Sequence, residues 1–367
     1  MKVLHVTTHF NVGGISNYIL TLSKALKAKG VEVIVASSGG NLKAELDRYG
    51  IPHRELDIRT KFEFGPKALK SAFRLSRIIK DEGVDVIHAH TRVSQVAALL
   101  ASKMSGVPFV TTCHGYFKKR LRGVVDTWGV RVIAISDAVQ THLVDDLGVA
   151  AGRTALIYSG VDTSRFAEDY SPERVREARE SLGLKNAPTV GTIGRLSSVK
   201  GQKFFVEAMK PILAGRPDAQ AMLLGDGDEE APLKTLAESL GVAGAVRFYD
   251  SCADTRAFLA AMDVFVFPSI KEGLGIALLE ALASGKACVA SRIGGISDII
   301  RDGYNGVLVD VGDSKAIGAA VLKLLADDTL RTEMGVRGRA LVREKFTLDG
   351  MADNMARLYA DVAGMGR

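Results

Sequence analysis

The sequence has 367 residues, of which 47% are apolar and 25% are charged, so it is long and apolar enough to bury two hydrophobic cores, and intrinsic disorder is excluded as its main state. Its 38 glycines follow no three-residue repeat and are accompanied by only 9 prolines, which excludes a collagen-like chain. No segment approaches the roughly 18 to 20 consecutive apolar residues of a membrane-spanning helix, and the opening Met-Lys-Val-Leu-His-Val is typical of a strand rather than of an export signal.

Charge is divided unevenly along the chain. Residues 1–165 hold 23 Lys and Arg against 14 Asp and Glu, a net charge of +9, whereas residues 166–367 hold 25 against 28, a net charge of −3. The basic half predicts an anionic partner, such as a membrane surface, a nucleic acid or a phosphorylated substrate. Cys113, Cys252 and Cys288 are too few and too scattered for a disulfide framework or a zinc site, which favours a reducing cytoplasm.

Short apolar runs bounded by turn residues alternate with segments of helical period from the first residues onward. This alternation predicts parallel strands joined by crossover helices, and therefore an α/β fold. In the first half, helices are predicted over 16–29 and 94–104, and strands over 3–7, 32–36, 84–89, 109–112, 131–135 and 154–157. A second series of strands is predicted over 189–194, 221–224, 246–249, 264–267, 287–291 and 306–309.

The polar segment 162–186 separates the two series, so a domain boundary is predicted between residues 163 and 188. Each half then forms one Rossmann-like, doubly wound parallel sheet. Because such sheets bind ligands at the carboxyl ends of their strands, two sheets that face each other would enclose a ligand site in a cleft between the domains.

The loop after the first predicted strand contains Gly13 and Gly14 and leads into a helix. Paired glycines let backbone N–H groups approach a phosphate, and a helix N-terminus adds partial positive charge. A plain tight turn explains the pair equally well, since neither a Gly-x-Gly-x-x-Gly nor a Walker A motif is present.

The loop after the strand 189–194 carries two cations, Arg195 and Lys200, just ahead of a helix. This arrangement suits a diphosphate. Solvated surface charges are the alternative, although cations at a helix start oppose the helix dipole unless an anion joins them.

The segment from Glu272 to Glu280 is the most informative motif. Glu272 ends a loop after a buried strand, Gly273 and Gly275 free the backbone for close approach to a ligand, and a helix follows. Its first amides suit a phosphate, and Glu280 can accept hydrogen bonds from two neighbouring hydroxyls of a ribose. The alternative is that Glu272 caps the helix and Glu280 lies on its wet face.

With these motifs, the chain resembles a retaining glycosyltransferase of family 4, also called glycosyl transferases group 1, which has the GT-B fold of two Rossmann-like domains facing across a cleft. The resemblance spans nearly the whole chain and rests on motifs in the family's order: Gly13-Gly14, Thr112-Cys113-His114-Gly115, Ala134-Ile135-Ser136, Gly160-Val161-Asp162, Gly194-Arg195 with Lys200-Gly201, Gly225-Asp226-Gly227, and Glu272 to Glu280 as E-x7-E.

The resemblance implies three regions: an acceptor-side domain over 1–165, a domain that binds the donor nucleotide sugar over 166–346, and a C-terminal helix over 347–367 that crosses back to the first domain. Arg195 and Lys200 would neutralise the diphosphate, and Glu280 would hold the ribose. Glu272 and His114 would contact the transferred sugar. The remaining implied donor-binding positions are Gly13, Gly14, Tyr249, Gly273, Leu274, Gly275 and Ile276.

The implied reaction transfers a sugar, with retention of its anomeric configuration, from a nucleotide diphosphate sugar, a UDP-sugar being favoured. The two cations and a helix N-terminus would stabilise the leaving diphosphate, so no metal and no cofactor are expected. The sequence shows no His and carboxylate cluster of metal-ligand type.

A basic, aromatic-rich stretch in the first half predicts contact with an anionic membrane or with a phosphorylated, lipid-linked acceptor. Phe62 and Phe64 precede it, and the cations proposed for this contact are Lys67, Lys70, Arg74, Arg77, Lys118, Lys119 and Arg120. A solvated helix face is the alternative. A loose likeness of residues 88–120 to lipopolysaccharide-core enzymes suggests a glycolipid or polysaccharide precursor as acceptor, and a cytoplasmic enzyme peripheral to the inner face of the cell membrane.

Three other functions are consistent with parts of this pattern. A nucleotide-sugar epimerase would share the diphosphate site, and a transferase could use a soluble acceptor. Binding of nucleic acid through the basic half is disfavoured, because no RNA- or DNA-binding module is present.

Overall fold

The computed structural model describes residues 1–60, 62–117, 126–166, 170–252 and 254–365. Contacts divide the chain into two compact units, Met1–Gly160 with Leu348–Arg367, and Val161–Thr347. The family resemblance implies divisions after residues 165 and 346. The α/β class and the two doubly wound parallel sheets are confirmed.

The first unit is built on a parallel sheet that has seven strands within the described residues, in the order β3-β2-β1-β4-β5-β6-β7. Its strands are β1 (Lys2–Val6), β2 (Glu32–Ser37), β3 (His53–Glu55), β4 (Val86–Ala89), β5 (Phe109–Cys113), β6 (Arg131–Ala134) and β7 (Thr154–Leu156). Its helices are α1 (Gly14–Ala28), α2 (Lys43–Arg48), α3 (Pro66–Glu82), α4 (Arg92–Ser105), α5 (Asp137–Thr141), continued by a π-helical turn over His142–Asp146, and α14 (Leu348–Met365).

Two apolar clusters cover the two faces of this sheet. Val3, Val33 and Val86 pack with α1 and α14 on one face. Leu4, Ile34 and Ile87, each the next residue along the same strands, pack with α3 and α4 on the other face. Because side chains alternate across a strand, continuous apolar runs give a sheet buried on both faces.

The second unit repeats this order in a sheet whose described strands run β10-β9-β8-β11-β12-β13. Its strands are β8 (Thr189–Ile193), β9 (Gln220–Leu224), β10 (Val246–Tyr249), β11 (Val264–Phe267), β12 (Ala287–Ser291) and β13 (Val307–Val309). Its helices are α6 (Pro172–Ser181), α7 (Gln202–Gly215), α8 (Glu230–Ser239), α9 (Arg256–Ala261), α10 (Ile276–Ala283), α11 (Ile296–Ile299), α12 (Ser314–Ala326) and α13 (Asp328–Lys345).

Both sheets reverse their strand order once, between β1 and β4 in the first unit and between β8 and β11 in the second. The loops that leave the carboxyl ends of two such strands diverge to opposite faces of the sheet, and the crevice between them is where doubly wound folds bind ligands. The ligand-binding residues of each unit are therefore expected at its reversal point.

One strand lies outside the sequence prediction. Strand β3 is not predicted, because His53–Glu55 is short, polar and paired on one side only, with β2 at the edge of the sheet. The final helix spans Leu348–Met365, within the range 347–367 that the family resemblance implies. Within the described residues, no helix combines the length and apolar character that crossing a membrane requires.

Candidate functional site

Two loops meet at the reversal point of the second unit. One leaves β8 and carries Arg195 and Lys200, and the other leaves β11 and carries Glu272. The backbone N–H of Ile270 donates to Val199 O at 2.9 Å, which joins the loops directly. Lys200 closes a 3-10 turn, and Gly201 follows it in a left-handed conformation with φ 65°. A Cβ at Gly201 would lie 2.1 Å from Pro268 O, so only glycine permits this approach.

Lys200 and Glu272 form an ion pair in which the Lys200 ammonium donates to Glu272 Oε2. Ser269 Oγ donates to the same carboxylate oxygen at 3.4 Å. The side chains of Lys200 and Glu272 are 26% and 14% exposed, so solvent screens this pair less than it screens a surface pair. The two residues that sequence reasoning assigned to one site are thus in contact.

Arg195 is exposed, and within the described residues its guanidinium has neither an ion pair nor a hydrogen bond. Its backbone is firmly held: Gln202 Nε2 donates to Arg195 O at 2.9 Å, and Leu196 N donates to Asp226 O at 2.8 Å. A fixed main chain with an open cationic side chain is suited to receive an anion.

Helix α10 begins directly after the Glu272 loop. Its N-cap is Gly275, with φ 101°, and no side chain caps the helix start. The first-turn N–H groups of an α-helix lack intrahelical acceptors, so the amides beginning at Ile276 are available to a ligand. Gly273 and Leu274 precede them as buried residues, and a Cβ at Gly295 would lie 2.0 Å from Gly273 O, so the next loop packs closely behind.

Glu280 is the only charged residue of α10, whose other seven residues are apolar. Burial raises the pKa of its carboxyl, and a hydrogen bond from Thr255 Oγ1, 3.1 Å from Oε2, partly offsets that rise. Arg165 lies close enough to favour the ionised form and pairs with Asp254 at 3.5 Å. Sequence reasoning singled out Glu280 but missed Thr255, Asp254 and Arg165, which the fold brings to it from two other segments.

Tyr249 lies at the end of β10, and its side chain contacts residues of the second unit. Its hydroxyl donates to Leu182 O at 2.8 Å, and its ring packs edge-on against Phe258 at 5.2 Å between centroids. These contacts anchor α6 and α9 to the sheet. Among the described contacts, none joins Tyr249 to the other predicted site residues.

Gly13 and Gly14 lie at the start of α1, at the reversal point of the first unit, and both are exposed. Gly13 is the N-cap of α1, and no side chain caps this helix. Asn11 and Asn41 hold the loop by reciprocal bonds, from Val12 N to Asn41 Oδ1 at 2.8 Å and from Asn41 N to Asn11 Oδ1 at 3.1 Å. The helix start is therefore open and its loop is fixed.

His114 follows β5 and belongs to a cluster of histidines that sequence reasoning missed. His5 on β1 and His88 and His90 at the end of β4 are fully buried, and one ring nitrogen from each lies within 4.8 Å of the others. The expectation of no His and carboxylate cluster of metal-ligand type therefore overlooked a grouping made of histidines alone. The available signal was His88-Ala-His90, since alternate residues of a strand share one face.

The basic residues of α3 lie on an exposed face. Lys70, Arg74 and Arg77 are exposed, whereas Lys67 is half-buried and pairs with Asp57 at 2.6 Å. Apolar side chains accompany them on the surface: Phe62 is 75% exposed, Phe73 65%, Leu69 45% and Phe64 40%. Lys118, Lys119 and Arg120 lie outside the described residues.

Comparison with known proteins gives matches along the whole chain. Residues 174–341 match the family model described as "Glycosyl transferases group 1", and residues 12–165 match that described as "Glycosyltransferase Family 4". A D-inositol 3-phosphate glycosyltransferase of Arthrobacter is 30% identical over 92% of this chain and 87% of its own.

A lipopolysaccharide core biosynthesis glycosyltransferase, LpsE of Rhizobium meliloti, is 40% identical over 48% of this chain and 50% of its own. Among solved structures, HepE of Anabaena, crystallised with UDP and glucose, is 25% identical, covers 98% of this chain and 99% of its own, and superposes with a TM-score of 0.87.

Proposed function

The chain belongs to the group 1 glycosyltransferases of the GT-B fold, and on that premise we propose that it transfers a sugar from a UDP-sugar to a hydroxyl of a membrane-associated glycolipid or polysaccharide precursor. The sugar keeps its anomeric configuration in this proposal, as the family resemblance implies. The choice of UDP draws support from HepE, whose structure contains UDP and glucose.

The observation that carries the proposal is the charge arrangement at the reversal point of the second unit. Lys200 is held by Glu272, Arg195 is open, and the uncapped amides of α10 follow Glu272 within a few residues. Cleavage of the anomeric C–O bond leaves a diphosphate with growing negative charge. Positive groups held in place before the reaction stabilise that charge without reorganising.

Glu280 and Glu272 are proposed to bind different parts of the donor. Glu280, half-buried beside Thr255, has the position and acceptor capacity to bind two ribose hydroxyls. Glu272 exchanges its contact with Lys200 for the transferred sugar when the diphosphate takes Lys200. His114 is proposed to contact the same sugar, and Gly13 and Gly14 to approach the donor through their backbone.

We expect transfer to proceed without a divalent metal, because Arg195, Lys200 and the α10 amides supply the charge that such an ion would supply. Turnover should therefore be unchanged after treatment with a chelator. No cofactor takes part in the proposed reaction, and the nucleotide sugar is a substrate.

The membrane-associated acceptor rests on α3. Lys70, Arg74 and Arg77 are exposed there beside Leu69 and Phe73, and the exposed Phe62 and Phe64 precede the helix. This combination suits the interface of an anionic bilayer. The printed name of LpsE, which concerns lipopolysaccharide core biosynthesis, supports an acceptor of that class. In this proposal the enzyme is cytoplasmic and peripheral to the inner face of the cell membrane.

The test is a thermal-shift panel of UDP-, GDP- and ADP-sugars, followed by turnover measurements. A ligand at 100 times its dissociation constant stabilises the folded protein by about 2.7 kcal/mol, which such a panel detects. UDP-sugars should raise the melting temperature. Arg195→Ala and Lys200→Ala should each abolish the shift and lower turnover roughly a hundredfold.

Lys203→Ala is the matched control, since Lys203 is an exposed cation on the neighbouring turn of α7. It should retain both the shift and the turnover. Near-normal turnover in both the Arg195 and the Lys200 variants would contradict the site assignment. Conversion of one UDP-sugar into another without acceptor would indicate an epimerase instead.

A further inference from the structure

Three histidines of the first unit form one hydrogen-bonded row, called here the histidine chain: His5, His90 and His114. His5 Nδ1 lies 2.8 Å from His90 Nε2, and His90 Nδ1 lies 3.1 Å from His114 Nε2. The row crosses three neighbouring strands, from β1 past the end of β4 to the end of β5. Tyr18 packs edge-on against His114 at 4.7 Å between centroids, which fixes the outer ring.

His88 lies beside the histidine chain but is not part of it. Its Nδ1 bonds to Tyr359 Oη at 2.5 Å and its Nε2 to Thr112 Oγ1 at 2.7 Å, so both of its nitrogens are occupied. Its ring lies 4.0 Å from that of His90. A cation held by His5, His88 and His90 would have to break one of these bonds, so the contacts favour a hydrogen-bonded row over a metal site.

Burial favours the neutral form of each ring of the histidine chain. Burial lowers the pKa of His5 and of His114 to about 3, and it lowers the pKa of His90 well below the ordinary value. A neutral imidazole has one N–H and one lone pair. Each ring in the row therefore donates in one direction only, and the three tautomers are coupled.

The inner end of the row decides its direction. His5 Nε2 is buried and has no hydrogen-bond partner among the described residues. If the bonds run inward from His114 to His5, His5 Nε2 carries a buried proton without an acceptor. If they run outward, the same atom is a bare acceptor. Among backbone groups, buried N–H donors without partners are rarer than buried acceptors without partners. The same preference applied to the ring nitrogens favours the outward direction.

The outer end of the row is open. His114 Nδ1 makes no hydrogen bond to any described residue, and it is not among the sealed, unpaired atoms. In the outward arrangement this nitrogen carries the proton. His114 then presents a neutral N–H donor at the carboxyl edge of the sheet, where doubly wound units bind ligands.

We infer that His5 and His90 are positioning residues that hold His114 as the Nδ1–H tautomer, so that it donates a hydrogen bond to an oxygen atom of the ligand. That this ligand is the donor sugar rests on the proposed function, whereas the tautomer does not. Free histidine in water favours the Nε2–H form, so the histidine chain reverses the intrinsic preference of His114.

The first test is NMR of the ligand-free, full-length protein labelled with 15N only at histidine, since protonated and bare ring nitrogens give separate signals. The His114→Gln variant identifies the His114 signals. We expect a protonated Nδ1 and a bare Nε2 at neutral pH. A protonated Nε2 on His114 overturns the inference, as does displacement of the His5, His88 and His90 signals by one equivalent of Zn²⁺.

A matched pair of variants tests the role of His5. His5→Asn keeps a side-chain N–H near the position of Nδ1, whereas His5→Leu removes it. His114 should stay Nδ1–H in the Asn variant and lose that form in the Leu variant. If both variants keep the wild-type tautomer, or if both lose it while remaining folded, His5 does not set the direction.

Turnover of a UDP-sugar provides the second readout. His5→Leu should lower kcat roughly tenfold, because His114 loses its oriented N–H donor. His5→Asn should stay within about twofold of wild type, because that donor is retained. If the spectra are as expected but no UDP-sugar binds, the proposed function is wrong and the tautomer assignment stands. If the enzyme transfers sugar but His114 is protonated at Nε2, the tautomer assignment is wrong and the proposed function stands.

Discussion

Lys200 and Glu272 neutralise each other in the free protein, while the charge of Arg195 stays open to solvent. The partly buried pair has a consequence for mutagenesis. Removing Lys200 leaves Glu272 a carboxylate with only Ser269 as a described side-chain donor, and an uncompensated partly buried charge is destabilising. Turnover of the Lys200 variant is therefore interpretable only beside its melting temperature.

Glu280 makes UDP binding pH-dependent if it holds the ribose. Burial raises the pKa of its carboxyl above the ordinary 4.5. The protonated acid has less acceptor capacity than the carboxylate, so affinity is present above this raised pKa and is lost as pH falls through it. The loss should therefore begin at a higher pH than an unperturbed glutamate would give.

Calorimetric titration of UDP between about pH 5 and 8 measures this effect. A phosphate ionises near pH 6 in every sample, so the comparison is between proteins rather than between pH values. Glu280→Gln should bind weakly with a flatter profile, and Glu238→Gln, at an exposed position of α8, should match wild type. Identical profiles for all three proteins would exclude Glu280 from the binding site.

At the scale of single elements, α3 combines a structural face and a surface face. Ala68, Ala72, Leu75 and Ile79 are buried against the sheet and α4. The opposite face is exposed and carries apolar side chains among its cations. Such a face is expected where a helix meets a partner or a membrane interface.

Membrane contact through α3 predicts salt-sensitive binding to anionic vesicles. Each cation contributes roughly 1 kcal/mol near an anionic surface, so replacing Lys70, Arg74 and Arg77 by Ala should weaken binding about a hundredfold at low salt. Phe73→Ala should weaken the part of the binding that persists at high salt. Cosedimentation with phosphatidylserine vesicles, over a series of salt concentrations, measures both effects.

The control removes three exposed cations from the second unit: Lys315, Lys323 and Arg343. If these changes weaken binding as much as the α3 changes, net charge rather than α3 governs attachment. Equal retention on neutral vesicles, or none on anionic ones, would contradict the membrane proposal.

At the scale of the whole molecule, the first unit is assembled from two distant parts of the chain. Helix α14 packs against α1, and its buried face includes Met351, Met355, Leu358 and Tyr359. Lys29 pairs with Asp349 at 2.7 Å and with Asp353 at 2.6 Å at the edge of this contact. This face of the first sheet is therefore covered by helices from both parts of the chain.

Met355→Ala should destabilise the first unit by about 2 to 5 kcal/mol, the usual cost of such a buried truncation. A chain of two units need not unfold in one step, so hydrogen exchange of α1 and α14 peptides is the suitable measurement. Their exchange should accelerate while β8 to β13 stay unchanged. Asp361→Ala, on the exposed side of α14, should leave all rates unchanged.

Much of the fold follows from local pattern. Alternating apolar runs and helical segments indicated two parallel sheets, because both signals depend on residues that are close along the chain. The same holds for the charges of the candidate site: Arg195 and Lys200 share one loop, and Glu272 and Glu280 are joined by a single loop and helix. Their contribution to donor binding stays a prediction.

Strand order decided the rest. His5 and His90 are 85 residues apart and meet only because β1 and β4 are neighbours in the sheet. Tyr359 reaches His88 across 271 residues, and Thr255 reaches Glu280 from another segment. Pairings of this kind depend on which strands and helices are adjacent in space, and no short-range pattern in a single sequence encodes that adjacency.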